Sequence, residues 1–334
     1  MLKILGNTNF ADLWGLVLAA GDGKRLEKFI HQTLGNKLPK QYVNFVGRRS
    51  MLEHTIRRAQ KLIPENRIVT IVSRDHLKYA EVRRQLSPYA DQNVIVQPVN
   101  RETGPGVLLP LMHIYKRSPE AVVAVFPSDH FIWEENRFMD YVDLAVQKVT
   151  GHPSEIVLLG VEAENAEPEY GYIIPQRDVL FDLHGTRRIA RFIEKPSAAI
   201  APSLIESGGL WNTMIMVFKV KTLLQLVQRI HPAMYAQFHR VYESIETPAV
   251  SVMVDRVYRE LEPLNFSKDI VEKVAVIFPE TISVLPVLQV FWSDWGSPER
   301  IKQVQQKLQL NRRRAGDLRE APLGEPASDE LRIA

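Results

Sequence analysis

Gly21, Gly23, Lys24 and Arg25 crowd together directly after the apolar run Leu16 to Ala20, and Lys37 and Lys40 follow at short range. A glycine turn at the end of a buried strand points backbone N–H groups outward, and their partial positive charge favours phosphate. This density of cations suits a triphosphate; the alternative is a solvated basic loop after a structural turn. Two familiar phosphate loops are absent: a dinucleotide fingerprint needs a third glycine where Leu26 stands, and a P-loop needs a different glycine spacing followed by Lys-Ser or Lys-Thr. Two carboxylates follow apolar runs further along. Asp129 stands in AVFPSDHFI and Asp294 in FWSDWGSPER. Magnesium is commonly held by one or two carboxylates together with phosphate oxygens, whereas the other reading of each aspartate is a cap or turn residue. His130 reads as a packed or hydrogen-bonded side chain. RFIEKPS sets Glu194 and Lys195 before Pro196, which favours extended backbone and leaves Lys195 as a point charge for a phosphate monoester, or as half of an edge-strand ion pair. Gly171 in EYGYI permits close backbone approach to a ligand, and Asn212 in LWNTMIMVF offers an amide to hydroxyl groups.

The elements that must position these residues are apolar runs alternating with amphipathic patterns. Leu16–Ala20, Ile68–Val72, Val94–Val96, Val122–Phe126 and Ile156–Val161 read as strands, and Leu52–Ile63 and Tyr141–Val149 read as crossover helices. The fold class is therefore α/β, a doubly wound, mixed but mainly parallel sheet. Beyond Gly171 shorter strands are expected at Tyr172–Ile174, Ile189–Ile193 and Met214–Phe218, forming a smaller second lobe over the sheet edge. Leu223–Ile230 reads as a helix, Thr281–Phe291 as a strand, and Pro298 to about Leu310 as a helix opened by Ser297. From Asn311 the apolar periodicity is lost, and a flexible tail is expected.

Composition narrows the partners. The 334 residues are 45% hydrophobic and 24% charged with a net charge of +3 spread along the chain, so a small anionic ligand is expected rather than a nucleic acid. The absence of cysteine excludes disulfides, thiolate metal sites and a cysteine nucleophile. No segment approaches the ~20 apolar residues of a membrane span, and a soluble, cytoplasmic protein, compatible with a homo-oligomer, is expected.

Taken in order, LAAGDGKRL, LPKQY, VQPVNRETGP, PSDHFI, YGYI, FIEKP, LWN and WSDWGS resemble the succession of motifs in the sugar-nucleotide pyrophosphorylases, looking closest to the mannose-1-phosphate guanylyltransferases. The resemblance implies a nucleotidyltransferase of glycosyltransferase-A-like, Rossmann-like fold that joins a nucleoside triphosphate (GTP as the first choice) to a sugar 1-phosphate (mannose 1-phosphate as the first choice) with Mg2+; the alternatives are another sugar or base, or a nucleotide-binding regulatory paralogue with weak catalysis. It divides the chain into an N-terminal extension (1–12), a nucleotidyltransferase domain (13–311, with its nucleotide side at 13–165 and its sugar-phosphate lobe at about 166–290) and the tail (312–334). Position by position, it implies that Ala20, Gly21 and Gly23 line the nucleotide with Lys24 beside them, that Arg25 grips the β and γ phosphates, and that Lys40 neutralises charge near the α-phosphate. Asp129 and Asp294 match the metal-binding aspartates, and Gly171, Glu194, Lys195 and Asn212 match the sugar-phosphate lobe.

The block VNRETGPGV, with Glu102 and Gly104, matches the base-contacting segment. Glu102 stands where the family usually has asparagine. A carboxylate accepts two hydrogen bonds, and guanine offers adjacent N1–H and N2–H donors; the other reading of Glu102 is a solvated loop residue. Further departures are Lys24 in place of threonine, Thr213 and Met214 in place of serine and glycine, and a shortened form of the block around Ser267 and Asp269.

Overall fold

The structure, a computed structural model, describes residues 12–35, 37–176 and 184–314. The chain begins β1 (Leu13–Ala19), α1 (Lys24–Leu34), α2 (Met51–Ala59), β2 (Ile68–Ser73), α3 (Ala80–Leu86) and β3 (Val94–Gln97). It continues α4 (Thr103–Arg117), β4 (Val122–Pro127), β5 (Phe131–Ile132), α5 (Glu135–Gly151) and β6 (Ile156–Glu162). Then come β7 (Tyr172–Pro175), β8 (Arg187–Ile193), α6 (Ala201–Glu206), β9 (Leu210–Lys219), α7 (Val220–Ile230), α8 (Pro232–Ser244) and α9 (Val250–Glu260). The last elements are α10 (Glu272–Ile277), β10 (Ile282–Val287), β11 (Trp292–Ser293) and α11 (Pro298–Arg314).

Among the described residues nine strands form one sheet in the order β3-β2-β1-β4-β9-β6-β10-β8-β7, with β7 also pairing β9. The strand and helix expectations are met in type and place, with shifted ends: the run expected as one strand over Thr281–Phe291 is β10 alone, followed by a connection to β11. β1 pairs in parallel with β2 and β4, β2 with β3, and β6 with β10, while the remaining pairings are antiparallel. The sheet is thus less parallel than the sequence suggests. β7, β8 and β9 continue it rather than lying over its edge, and β9 is inserted between β4 and β6.

The fully buried strands explain the continuous apolar runs, because both faces are covered. On one face Leu16, Val69, Val123 and Val125 pack with Leu108 of α4, Leu223 of α7, Phe238 of α8 and Val257 of α9. On the other, Val17, Val72, Ala124 and Phe126 meet Leu52 and Ile56 of α2 and Phe138 and Val142 of α5. Burying each such side chain contributes about 1.5–3 kcal/mol. α2 starts with a capping box in which the Ser50 hydroxyl accepts from the Glu53 N–H and the Glu53 carboxylate from the Ser50 N–H.

Two local expectations change. The stretch after Gly23, read as a cationic loop, is largely the helix α1, because Leu26 and Ile30 on one of its faces pack against Ile301 and Val304 of α11. α11 itself runs on to Arg314 rather than ending near Leu310; its start matches the expected cap, with the Arg300 N–H donating to the Ser297 hydroxyl. The rest of the tail beyond Arg314, and residues 1–11 of the N-terminal extension, lie outside the described residues.

Candidate active site

Because β1 and β4 are parallel neighbours, with Leu18 opposite Pro127, their carboxyl ends deliver the glycine turn and Asp129 to the same place. The turn is fastened from below: the Gln41 side-chain amide donates to the Ala19 and Gly21 carbonyls at 2.8 and 2.9 Å. Gly23 adopts a left-handed conformation (φ 65°) and caps the start of α1, and a Cβ there would stand 3.2 Å from the Lys40 backbone nitrogen. Lys24 and Arg25 therefore occupy the first turn of α1, where free backbone N–H groups and the helix dipole reinforce their charge. The Lys40 ammonium lies 2.7 Å from the Asp129 carboxylate. Burial pushes the Asp129 carboxyl up, but the Lys40 ammonium outweighs it, and the group is held below the ordinary carboxylate range.

Asp294 reaches the same edge by a second route. β11 pairs antiparallel with β5, Ser293 opposite Phe131, so the residue after β11 meets the segment after Asp129. His130 lies between the two strands; its Nδ1 accepts from the Trp292 indole N–H at 3.2 Å and the two rings pack edge to face at 5.0 Å, the packed role expected of it. Asp294 is already engaged: both of its oxygens accept from Arg300 Nη1, at 2.9 and 3.0 Å, and Oδ1 also accepts from the Tyr170 hydroxyl at 2.9 Å. Arg300 Nη2 reaches Glu167 and Glu169 at 2.9 and 3.2 Å, and Glu169 in turn accepts from Arg25 at 2.7 Å. A chain of charges thus runs Arg25, Glu169, Arg300, Asp294. Its outermost link is exposed, worth at most about 1 kcal/mol, and a polyphosphate would displace it readily.

A magnesium ion fits Asp129, whose carboxylate is partly exposed and faces the cationic turn. Asp294 is free to take part in holding a metal only if Arg300 releases it. Among the described residues no group of three or more His, Cys, Asp or Glu side chains is arranged to hold a metal, and a phosphate-supported magnesium does not require one.

Strand pairing also assembles a second cluster of the expected site residues. β7 pairs with both β8 and β9, so Gly171 sits beside both Glu194 and Asn212; the Asn212 N–H donates to the Gly171 carbonyl at 2.8 Å. Gly171 is required by close approach, since a Cβ there would stand 2.6 Å from Glu194 Oε2 and 3.2 Å from the Asn212 Cβ. Burial raises the Glu194 carboxyl, with Lys195 opposing and Glu272 adding to the rise. Lys195 is exposed, at φ 48°. Among the described residues six non-glycines have positive φ, and four lie on these segments: Glu102, Lys195, Met214 and Trp295. Such conformations persist where the surroundings enforce them and cluster at functional sites.

A cavity of about 380 Å3 opens between the glycine turn and the ends of β2 and β3, lined by Asp22, Lys24, Asp75, His76, Tyr79 and Asn100 among others. Glu102 is exposed and is not part of this lining; its N–H donates to the Asn100 side chain, and Asn100 faces the cavity instead. Gly104 turns into the core, where its N–H donates to the Leu264 carbonyl at 2.8 Å and a Cβ would stand 2.4 Å from Leu264 Cδ2. Sequence reasoning did not single out Asp75, Asn100, Glu169, Tyr170 or Arg300. The first two follow strands at the same sheet edge, a usable signal; the other three lack one.

Strand ends and a helix start converging on paired cations and carboxylates mark a protein that handles phosphate groups. The chain belongs to the nucleotidyl transferase family, whose model matches residues 14–311. It is 26% identical over 295 residues to a mannose-1-phosphate guanylyltransferase of Escherichia coli, covering 87% of this chain and 60% of that one. Against the alginate biosynthesis protein AlgA of Pseudomonas fluorescens the identity is 27% over 285 residues, 84% of this chain and 56% of that one. The chain therefore spans little more than half the length of these relatives. A solved structure described as a mannose-1-phosphate geranyltransferase from Thermus thermophilus superposes with a TM-score of 0.70 at 25% identity, over 85% of this chain and 76% of that one. A UDP-glucose pyrophosphorylase complexed with UDP-glucose shares the fold, at TM-score 0.53 and 15% identity over 90% of this chain and 99% of that one. Among the described residues no helix is long and apolar enough to cross a membrane.

Proposed function

We propose that the protein transfers a nucleotidyl group from a nucleoside triphosphate to a sugar 1-phosphate, with GTP and mannose 1-phosphate as its substrates, releasing pyrophosphate. The observation that supports this reading is a pair of clusters, Gly23, Arg25 and Lys40 with Asp129 in contact with Lys40, and Gly171 with Glu194 and Asn212, linked by the contact of Arg25 with Glu169 two residues before Gly171. The relatives named for mannose-1-phosphate guanylyl transfer support the choice of substrates.

Reaction needs no protein nucleophile. A sugar phosphate oxygen attacks the α-phosphorus in line, a new P–O bond forms, and the bond to the bridging oxygen breaks with its electron pair leaving on pyrophosphate. The protein supplies position and charge. Lys40 exchanges its Asp129 contact for the α-phosphate, and Arg25 exchanges Glu169 for the β and γ phosphates. Glu194 and Asn212 hold sugar hydroxyls, while Lys195 stands off as a point charge for the sugar phosphate. Asp129, and Asp294 once freed from Arg300, would hold magnesium, which when bound would supply charge to neutralise the phosphates.

Met214 favours a second reading of the sugar. It holds φ 56°, its N–H donates to the Asn212 side chain at 3.0 Å, and the family usually has glycine there, so a sugar other than mannose is the alternative. The test is pyrophosphate release with each nucleoside triphosphate, magnesium and a panel of sugar phosphates. Release with GTP and mannose 1-phosphate above all other pairs is expected; release with no pair, or without any sugar phosphate, overturns the proposal.

A further inference from the structure

A cavity of about 950 Å3 lies outside the candidate active site, between α2 and the start of α5. Its size is that of a small-molecule site. Arg49 and Arg57 line it, both are exposed, and neither has a carboxylate partner among the described residues. Arg58 and Lys61 also line it, paired with Glu135, as do Glu134, whose carboxylate accepts from the Phe291 N–H, and Arg137, which donates to Gln289; Arg49, Arg57 and Arg137 outnumber Glu134, so the net charge left over is positive. Its wall is aromatic. Trp133 is half-buried with no ring stacked parallel to it among the described residues, next to Phe131, which stacks on Trp295 at 5.3 Å and 7°. Guanidinium groups beside an open aromatic face recognise an anion carried on a flat ring system.

Trp295 is the unusual part of this wall. It is 3% exposed, its indole N–H finds no acceptor among the described residues, and it holds the left-handed backbone (φ 46°) that large side chains avoid. Its neighbour in the chain is Asp294. On the opposite side His130, next to Asp129, lines the same cavity. Both aspartates of the candidate active site are therefore one residue away from the cavity wall.

We propose that this cavity is a second ligand site for a nucleoside diphosphate, its phosphates on Arg49 and Arg57 and its base against Trp133, and that occupancy shifts Asp129 and Asp294 through His130 and Trp295. The shift, though not the binding, rests on the activity proposed above.

Equilibrium dialysis with labelled GDP tests it in three proteins: the unaltered chain, Arg25→Ala/Lys40→Ala, and Arg49→Ala/Arg57→Ala. Two GDP per chain are expected in the first and one in each variant. Tryptophan quenching by GDP should persist in Arg25→Ala/Lys40→Ala, vanish in Arg49→Ala/Arg57→Ala, and vanish also in Trp133→Phe. Inorganic phosphate at the same concentration should not displace the nucleotide from this site. Loss of all GDP binding in Arg25→Ala/Lys40→Ala, with full binding retained in Arg49→Ala/Arg57→Ala, overturns the second site. In turnover, Arg49→Ala/Arg57→Ala should keep the basal rate and respond to GDP only by competition, whereas the unaltered chain shows an additional non-competitive change. An identical response in both proteins overturns the coupling. A chain without turnover but with two dialysable GDP would sink the proposed activity and leave the second site standing.

Discussion

Alanine at Gly171 should leave the protein folded and weaken its hold on the sugar phosphate. The added Cβ would stand 2.6 Å from Glu194 Oε2, and ordinary contact requires the carboxylate to retreat by roughly 1 Å. The retreat is cheap for stability because Oε2 is the end of a flexible side chain. It is costly for a ligand: a hydrogen bond lengthened that far is no longer one, and losing a bond to a charged group costs about 1.5–3 kcal/mol, or roughly 10- to 100-fold in affinity. Saturation curves should show the Michaelis constant rising by that factor for the sugar phosphate and little for the triphosphate. Gly104→Ala is the contrast. There the Cβ meets Leu264 Cδ2 at 2.4 Å and the Leu264 backbone oxygen at 2.8 Å, deep in the core, and overpacking of this kind costs about 1–3 kcal/mol of stability. Its melting temperature should fall without preference between substrates. A Gly171→Ala protein with an unchanged melting temperature and an unchanged sugar-phosphate curve would refute the assignment of Glu194 to the sugar.

Arg25→Ala should raise the Michaelis constant for the triphosphate far more than for the sugar phosphate, and Lys195→Ala should do the reverse; equal effects on both substrates would show that the site is not partitioned in this way. Asp129→Asn removes the carboxylate while keeping its shape, so turnover should fall about 100-fold while the protein stays folded, and near-normal rates at low magnesium would count against Asp129 as its ligand. Stability should be acid-sensitive: burial, with Arg117 adding, pushes His113 down to about 4 from 6.5. A histidine that binds its proton more readily unfolded lends stability above the unfolded value and loses it as pH falls toward the folded one, here by roughly 3 kcal/mol. Urea midpoints measured from pH 6.5 to 4 should therefore fall, and fall less steeply in His113→Gln; parallel slopes would exclude this histidine as a cause.

The sequence made the strands legible because burial on both faces leaves long apolar runs, and it made Asp129 and the glycine turn legible because strand ends at one edge of such a sheet are predictable neighbours. The pairing of Asp129 with Lys40 was not legible, since it depends on how the chain returns after α1. Nor was α1 itself: its apolar face answers α11, far away in sequence, and its cations dominate the local pattern. Arg300 carried no signal, because an arginine in the first turn of a terminal helix looks solvated until the loop bearing Glu167 and Glu169 is seen to fold over it. Gly104 was assigned by its motif, and only the proximity of Leu264 shows what excludes a side chain there.

The insertion of β9 between β4 and β6 bears on whether the two ends of the proposed site can be separated. One strand joins Ala124 of β4 through Val217 and Gly160 of β6 through Asn212, so the strand that carries the Asn212 amide to the proposed sugar end also covers the edge of β4, which leads to Asp129. A fragment cut before β9 would expose β4 and β6 as open edges, which recruit other chains. Exchange of the proposed sugar-binding half between relatives would have to carry β9 with it, together with every contact it makes on β4. New sugar specificity is then reached more readily by replacing single side chains along a fixed strand than by trading modules.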